Sequence, residues 1–395
     1  MRGRFVFLSD FHPYDKSAFI TGSHLQVYNI ARVVSKKAET HLLVSTSDKG
    51  KVWKVVDEDG LTVHYLPNPR FEIQKIPIFL KRVLELEPVC VFQRGRSSLT
   101  FVGFLSKILI SSKFVWSSNA LEGVDFLKFS RFLYNRKKYL LPFGLLLDVI
   151  INIGLEGCDV VVAQNEEQRA KAERRFWWKD VRMCKNIQEL PENVPDKSEK
   201  PKVIWVGRFD ENKNPGVFLR LAEIFPEYEF LMVGYGDEKL IMDKPDNLKF
   251  LGKMEREEVL KLLGESWILV HTANYESEGI PNVIIEAFLC GTPVLTLYVN
   301  MEVLERFNLH CGNFESLTQR LRDLLSSRER VVEIGKVLKD WAVKTFVEES
   351  VKCWENVFLT IPTYAPNPYM RRDKWGIGWQ KGCCGGMGGI FKGNR

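Results

Sequence analysis

The chain has 395 residues, 45% of them hydrophobic and 27% charged, with a formal net charge of +6. Those proportions exclude a disordered or low-complexity chain, and the length exceeds what one hydrophobic core usually serves, so two domains are expected. The eight cysteines lack metal spacing. Cys90, Cys158, Cys184 and Cys290 sit in apolar runs and read as reduced core residues of an intracellular protein, while Cys383-Cys384 stands apart in a Gly-rich tail.

In chain order, Arg2-Gly3-Arg4 leads directly into a strand over Arg4 to Ser9, with no room for a secretory leader. A helix over Ser23 to Ser35 follows, then strands His41 to Ser45 and Thr62 to Leu66, a helix near Ile78 to Leu86, and strands Val89 to Gln93 and Lys113 to Ser117. The apolar stretch Tyr139 to Leu147 is cut by Lys138 and Asp148, well short of the roughly 20 residues a membrane span needs. Asp159 to Ala163 reads as another strand and Glu166 to Arg175 as a charged helix. This alternation predicts parallel α/β sheets. The polar, proline-bearing stretch 190–201 is the expected linker between a first domain, 1–189, and a second α/β unit, 202–345.

The most informative segment is Glu278-Gly279-Ile280-Pro281-Asn282-Val283-Ile284-Ile285-Glu286. Pro281 suits the first turn of a helix, and Gly291 followed by Pro293 suits its end. Free N–H groups at such a start attract phosphate oxygens, and a carboxylate at Glu286, inside an otherwise apolar helix, needs a partner that a pair of ribose hydroxyls would supply. Upstream, the strand run from Val203 ends at Gly207-Arg208 with Lys213 five positions on, and Phe230 to Val233 closes on Gly234-Tyr235-Gly236.

These three segments, in this order, resemble the donor-binding domain of the retaining family 4 glycosyltransferases, which have the GT-B fold. The resemblance implies two facing Rossmann-like domains with the active site in the interdomain cleft. It implies a helix over 346–362 that crosses back to brace the first domain, and it leaves 363–395 as a basic Gly-rich tail. The donor would be a nucleoside-diphosphate sugar. Arg208, Lys213 and the helix start at Gly279, Ile280, Asn282 and Val283 would take the diphosphate, Glu278 the sugar hydroxyls, Glu286 the ribose, and Gly234, Gly252, Lys253 and Met254 would line the nucleotide. The resemblance further implies a hexosyl transfer to an acceptor hydroxyl on a glycan or lipid-linked glycan, with retention and no cofactor. No D-x-D stands at a strand end, and Asp57-Glu58-Asp59 lies in an expected polar turn, so no metal is expected either.

In the first domain, Gly22 and Ser23 occupy the place of the family's glycine-rich loop. Asn119 stands where many members carry a His or Asp against the transferred sugar; an amide can hydrogen-bond a hydroxyl but is no base near neutral pH. His271, at a strand end, reads as structural. Arg94 and Arg96 end a strand and suit an acidic or phosphorylated acceptor. Residues 371–395 carry six cations against Asp373 together with Trp375, Trp379 and Phe391, and 128–138 interleaves cations with aromatics. Both suit an anionic membrane surface, so the expected location is cytoplasmic and peripheral on the inner face of the membrane, with no nucleic-acid motif beside them. A dehydrogenase is excluded because Gly234-Tyr235-Gly236 lacks the third glycine three residues on. A sugar-nucleotide epimerase of GT-B architecture and a non-catalytic sugar-nucleotide-binding subunit remain as alternatives.

Overall fold

The computed structural model describes residues 3–15, 21–136, 140–237, 239, 242, 244–273, 281–299 and 301–360. The first half runs β1 (Phe5–Phe11), α1 (Gly22–Ser35), β2 (Thr40–Thr46), β3 (Val55–Glu58), β4 (Leu61–Pro67), α2 (Lys75–Leu86), β5 (Cys90–Arg94), α3 (Leu99–Ile110), β6 (Lys113–Ser117), α4 (Lys128–Arg136), α5 (Leu141–Gly157), β7 (Val160–Ala163), α6 (Glu166–Arg175) and β8 (Asp180–Met183). Among the described residues its strands form one sheet in the order β3-β4-β2-β1-β5-β6-β7-β8, parallel except for the β3–β4 hairpin. Because β1 pairs with β2 on one side and β5 on the other, chain connections leave it in both directions. A crevice therefore opens at the carboxyl ends of β1 and β5.

The second half runs β9 (Lys202–Phe209), α7 (Pro215–Ile224), β10 (Glu229–Gly236), β11 (Leu248–Gly252), α8 (Arg256–Glu265), β12 (Ile268–His271), α9 (Asn282–Leu289), β13 (Val294–Thr296), α10 (Glu302–Arg306), α11 (Phe314–Leu325) and α12 (Arg328–Ala342). Its described strands form a parallel sheet ordered β11-β10-β9-β12-β13. The strands are continuous apolar runs such as Val203-Ile204-Trp205 and Phe230-Leu231-Met232-Val233, buried because helices cover both faces. A π-helical stretch, Val343–Glu349, links α12 to α13 (Ser350–Leu359). Helix α13 packs Trp354 and Phe358 into the core of the first sheet against Phe5, Phe7 and Phe92. Together the two sheets and their helices make a GT-B fold.

Two expectations need correction. Cys184 is not a reduced core thiol: it forms a disulfide with Cys353 of α13, across a separation of 169 residues. Cys90, Cys158 and Cys290 are free and buried. Asp57 and Glu58 belong to β3 instead of a turn, and Glu58 accepts hydrogen bonds from Tyr28 at 3.0 Å and pairs with His12 at 3.2 Å. No helix among the described residues is long and apolar enough to cross a membrane.

Candidate active site

The carboxyl ends of β9 and β10, the start of α9 and the crevice of the first sheet face one another across a cleft of about 640 Å³. Helix α9 begins at Asn282, with Pro281 as its extended N-cap one residue earlier than a first-turn proline would stand. Its end is as the glycine spacing implies, since Gly291 adopts φ +69° and its N–H donates to Phe288 at 2.8 Å. Glu286 therefore sits in the second turn. It is buried, and Arg256, the first residue of α8, donates to it from Nε at 2.9 Å. Burial pushes the Glu286 carboxyl above the usual carboxylate range, opposed by the Arg256 charge.

The wall that carries Arg208 and Lys213 is built from strand ends. Arg208 lies near the end of β9 and pairs with Asp210 at 3.2 Å, and the turn that follows is closed by Lys213 N–H donating to Asp210 Oδ1 at 3.0 Å. This Asp-closed turn carries both cations to the cleft, with Gly234, Lys253 and Met254 beside them. Gly234 adopts φ +147°, and a Cβ there would stand 1.7 Å from the Gly207 carbonyl oxygen, so no side chain fits where β9 and β10 come together at the cleft floor. His271 is buried behind this wall with its pKa pushed down to about 3 by burial and then by the Lys213 charge.

The opposite wall comes from α1, the strand ends of the first sheet and the segment after β8. Gly22, Ser23, Gln26, Arg94, Asn119 and Asn186 line it. The two walls touch at Asn282. Its Oδ1 accepts from Gln188 Nε2 at 3.1 Å, Asn186 Nδ2 at 3.2 Å and Gln26 Nε2 at 3.5 Å. A Cβ on Gly22 would stand 2.5 Å from Asn282 Nδ2, so the glycine admits this approach.

Of the residues singled out from sequence, Gly22, Ser23, Arg94, Asn119, Arg208, Lys213, Gly234, Lys253, Met254, Asn282, Val283 and Glu286 converge on the cleft. Gly252 ends β11 next to Lys253 and does not line it. Arg96 does not line this cleft; its guanidinium donates to Asp148 at 3.2 Å with both side chains 1% exposed. Glu278, Gly279 and Ile280 lie outside the described residues, as does the tail 363–395. Sequence reading missed Arg256, which stands thirty positions from its partner with no local signal, and missed the amides of Gln26, Asn186 and Gln188, which look like ordinary polar residues.

Two parallel α/β sheets facing across a cleft at their strand ends define the GT-B class of glycosyltransferase folds. Over residues 186–341 the chain matches the family model described as glycosyl transferases group 1. That segment, which holds the second sheet and one wall of the cleft, is similar to the group. Sucrose-phosphate synthase from Thermosynechococcus elongatus superposes with a TM-score of 0.69 at 16% identity, covering 91% of this chain and 100% of that one. UDP-GlcNAc 2-epimerase from Neisseria meningitidis, bound to UDP-GlcNAc, gives 0.57 at 13% identity, covering 91% and 100%. An uncharacterized glycosyltransferase of Haemophilus influenzae is 23% identical over 217 residues, 49% of this chain. The chain spans 60% of that curated relative's length.

Proposed function

We propose that the chain is a glycosyltransferase that moves a hexosyl group from a nucleoside-diphosphate sugar to an acceptor hydroxyl, with retention of anomeric configuration and without a metal. The observation that carries this reading is the convergence on one cleft of a buried carboxylate, Glu286, and two cations, Arg208 and Lys213, on either side of the α9 start. The cations and the helix N-terminus suit a diphosphate, whose leaving oxygens gain negative charge as the bond to the anomeric carbon breaks. Glu286 suits the ribose hydroxyls, and Glu278 the hydroxyls of the sugar. The acceptor oxygen attacks the same face that the diphosphate leaves, and its proton passes to a departing phosphate oxygen. Asn119 hydrogen-bonds the sugar and takes no proton.

The acceptor is a saccharide or lipid-linked saccharide, and the protein works peripherally on an anionic membrane. Support comes from α5, whose outward residues Leu145, Leu146, Val149 and Ile153 are all exposed, next to exposed Phe126, Leu127, Trp177 and Trp178. Leu145, Val149, Ile153, Phe126 and Leu127 line an apolar groove of about 550 Å³, and Phe126, Leu127 and Trp178 its wider neighbour of about 980 Å³, where Arg131, Lys171, Arg174 and Arg175 stand among Glu122, Asp125 and Glu156. Apolar residues rimmed by tryptophan and cations suit a headgroup boundary.

The test is product analysis of the purified full chain with a panel of nucleotide sugars and saccharide acceptors. Glycoside formation with the donor's anomeric configuration and release of nucleoside diphosphate is expected. Inversion would overturn retention. Conversion of the donor sugar to its epimer without an acceptor would make the protein an epimerase, and saturable donor binding without turnover would make it a binding subunit.

A further inference from the structure

A second, smaller pocket of about 170 Å³ opens from the cleft into the first sheet, at the carboxyl ends of β1, β5 and β6 where Asp10, Thr21, His24, Arg94 and Asn119 meet. It lies at the switch point between β1 and β5, where sheets of this kind receive ligands. Its chemistry is unusual for its depth. Counted over backbone and side chain together, only Lys75 and Arg94 among the described lysines and arginines expose less than a tenth of their surface. Lys75 is neutralised by Asp10 at 2.7 Å and Glu72 at 3.0 Å. Arg94 has no carboxylate among the described residues: Nη2 donates to Asn186 Oδ1 at 2.8 Å, Nη1 reaches Ser117 Oγ at 3.5 Å, and Nε has no partner.

A buried charge without a counter-ion is costly, and the neighbouring Arg96 and Arg256 guanidiniums each meet a carboxylate, Asp148 and Glu286. Burial alone pushes the Arg94 pKa down to about 9, which leaves the guanidinium charged at neutral pH. Around it the pocket offers further polar groups. Asn119 Oδ1 is buried without a partner. His24 Nδ1 accepts from Thr21 N–H at 3.1 Å, so the neutral ring carries its proton on Nε2 as a donor, and burial lowers its pKa so that it stays neutral. The one carboxylate in the lining, Asp10, is already paired with Lys75.

We infer that this pocket receives an anionic group of the acceptor, a phosphate ester or a carboxylate, with Arg94 as its counter-ion and Asn119 and His24 hydrogen-bonding the adjoining atoms. This rests on the transfer reading for the word acceptor, but the anion site itself stands on Arg94. Arg94 is then a specificity residue: it admits charged acceptors and leaves neutral ones with a buried cation unpaired.

The experiment is the melting temperature of the full chain with UDP, ADP or GDP held at saturation, so that the diphosphate wall is filled. Inorganic phosphate, a hexose phosphate, a hexuronate, a short-chain alkyl phosphate and a neutral hexose are each then titrated. The anions should raise the melting temperature further and the neutral hexose should not. Arg94→Gln, which keeps a donor for Asn186, should weaken the anion effect about tenfold or more, the worth of a charge-assisted hydrogen bond. Asn119→Asp, which places the chain's own carboxylate in the pocket, should raise the melting temperature in anion-free buffer and abolish the response. A larger response to the alkyl phosphate than to the hexose phosphate would assign a lipid-borne acceptor, and the reverse a soluble one. Equal response to the neutral hexose, or an anion response that survives both substitutions, would overturn the site. A chain that no nucleotide stabilises but that phosphate stabilises through Arg94 would sink the transfer reading and keep the anion site.

Discussion

Arg256 Nε lies 2.9 Å from Glu286 Oε1, so the buried carboxylate at the heart of the cleft already has a cationic partner before any donor arrives. The pair leaves Glu286 a second oxygen, and Arg256 reaches on to Gln188 Oε1 at 3.4 Å. Arg256 thus opposes the upward push of burial on the Glu286 carboxyl and ties α8 to the segment between the two sheets.

Glu286→Ala should weaken donor binding more than it slows bound-state turnover, because a ribose contact is similar in ground and transition states. An unchanged Michaelis constant with a collapsed turnover number would place Glu286 in the chemistry instead. Arg256→Ala strands the carboxylate and should cost about 3 kcal/mol of stability in a denaturant titration. Since the Glu286 pKa is raised, the ionised form that accepts hydroxyls is lost at a higher pH than for a solvated glutamate near 4.3. Donor affinity, measured by titration calorimetry, should therefore fall as pH drops while solvated carboxylates are still ionised, and the fall should disappear in Glu286→Gln.

Turnover should need no divalent cation, because Arg208 and Lys213 can neutralise the leaving diphosphate. Each substitution to alanine should lower turnover by roughly a hundredfold, as for loss of an oxyanion donor, while EDTA changes the rate little. Chelation that abolishes activity, with recovery on adding magnesium or manganese, would contradict this division of labour.

Binding to anionic liposomes should depend on the apolar face of α5 and on the tail. Val149→Glu with Ile153→Glu should reduce co-sedimentation, as should removal of residues 363–395, and the remaining attraction should fade as salt is raised. Soluble donor hydrolysis should survive both changes. Full liposome binding by the double variant would instead mark this face as a site for a protein partner.

Cys353→Ser should lower stability by about 2–5 kcal/mol, because the disulfide closes a loop of 169 residues in the unfolded chain. The same loss should appear when the wild-type chain is unfolded under a thiol reductant, and the variant should then be insensitive to it. Equal denaturation midpoints with and without reductant would show that the bond adds nothing to the fold.

Elements that alternate cleanly were legible to within a few residues: the expected strand Lys113 to Ser117 is β6, and the helix Glu166 to Arg175 is α6. Each has its own pattern and its own local stop, such as the Asn165 cap that accepts from Gln168 N–H at 2.8 Å. The edge strand β3 was not legible, because Asp57-Glu58-Asp59-Gly60 carries turn chemistry and half of that hairpin really is a turn, with Asp59 at φ +53°. Helix α5 was hidden by being apolar on both its buried and its exposed sides, which erases the helical period. In the cleft, the positions of Arg208, Lys213, Gly234 and Asn282 were readable because a strand end or helix start fixes each of them locally. Arg256, Arg94's missing counter-ion and the Cys184–Cys353 bond depend on partners brought together only by the completed fold, and no spacing announces them.

Helix α13 closes the first sheet with residues made long after its strands. Phe358 lies 5.4 Å from Phe7 and Trp354 5.6 Å from Phe92, ring centre to ring centre, so one side of the earliest-made sheet waits for the latest-made described helix. The interval from Cys184 to Cys353 spans 169 residues, on the order of ten to thirty seconds of synthesis at about 5–20 residues per second. Throughout it the nascent first sheet lacks the Trp354 and Phe358 rings that pack on Phe5, Phe7 and Phe92, while the strands of the second sheet, Lys202 to Thr296, are all made before α13. The half translated first therefore receives its last core residues only after the half translated second has all of its strands.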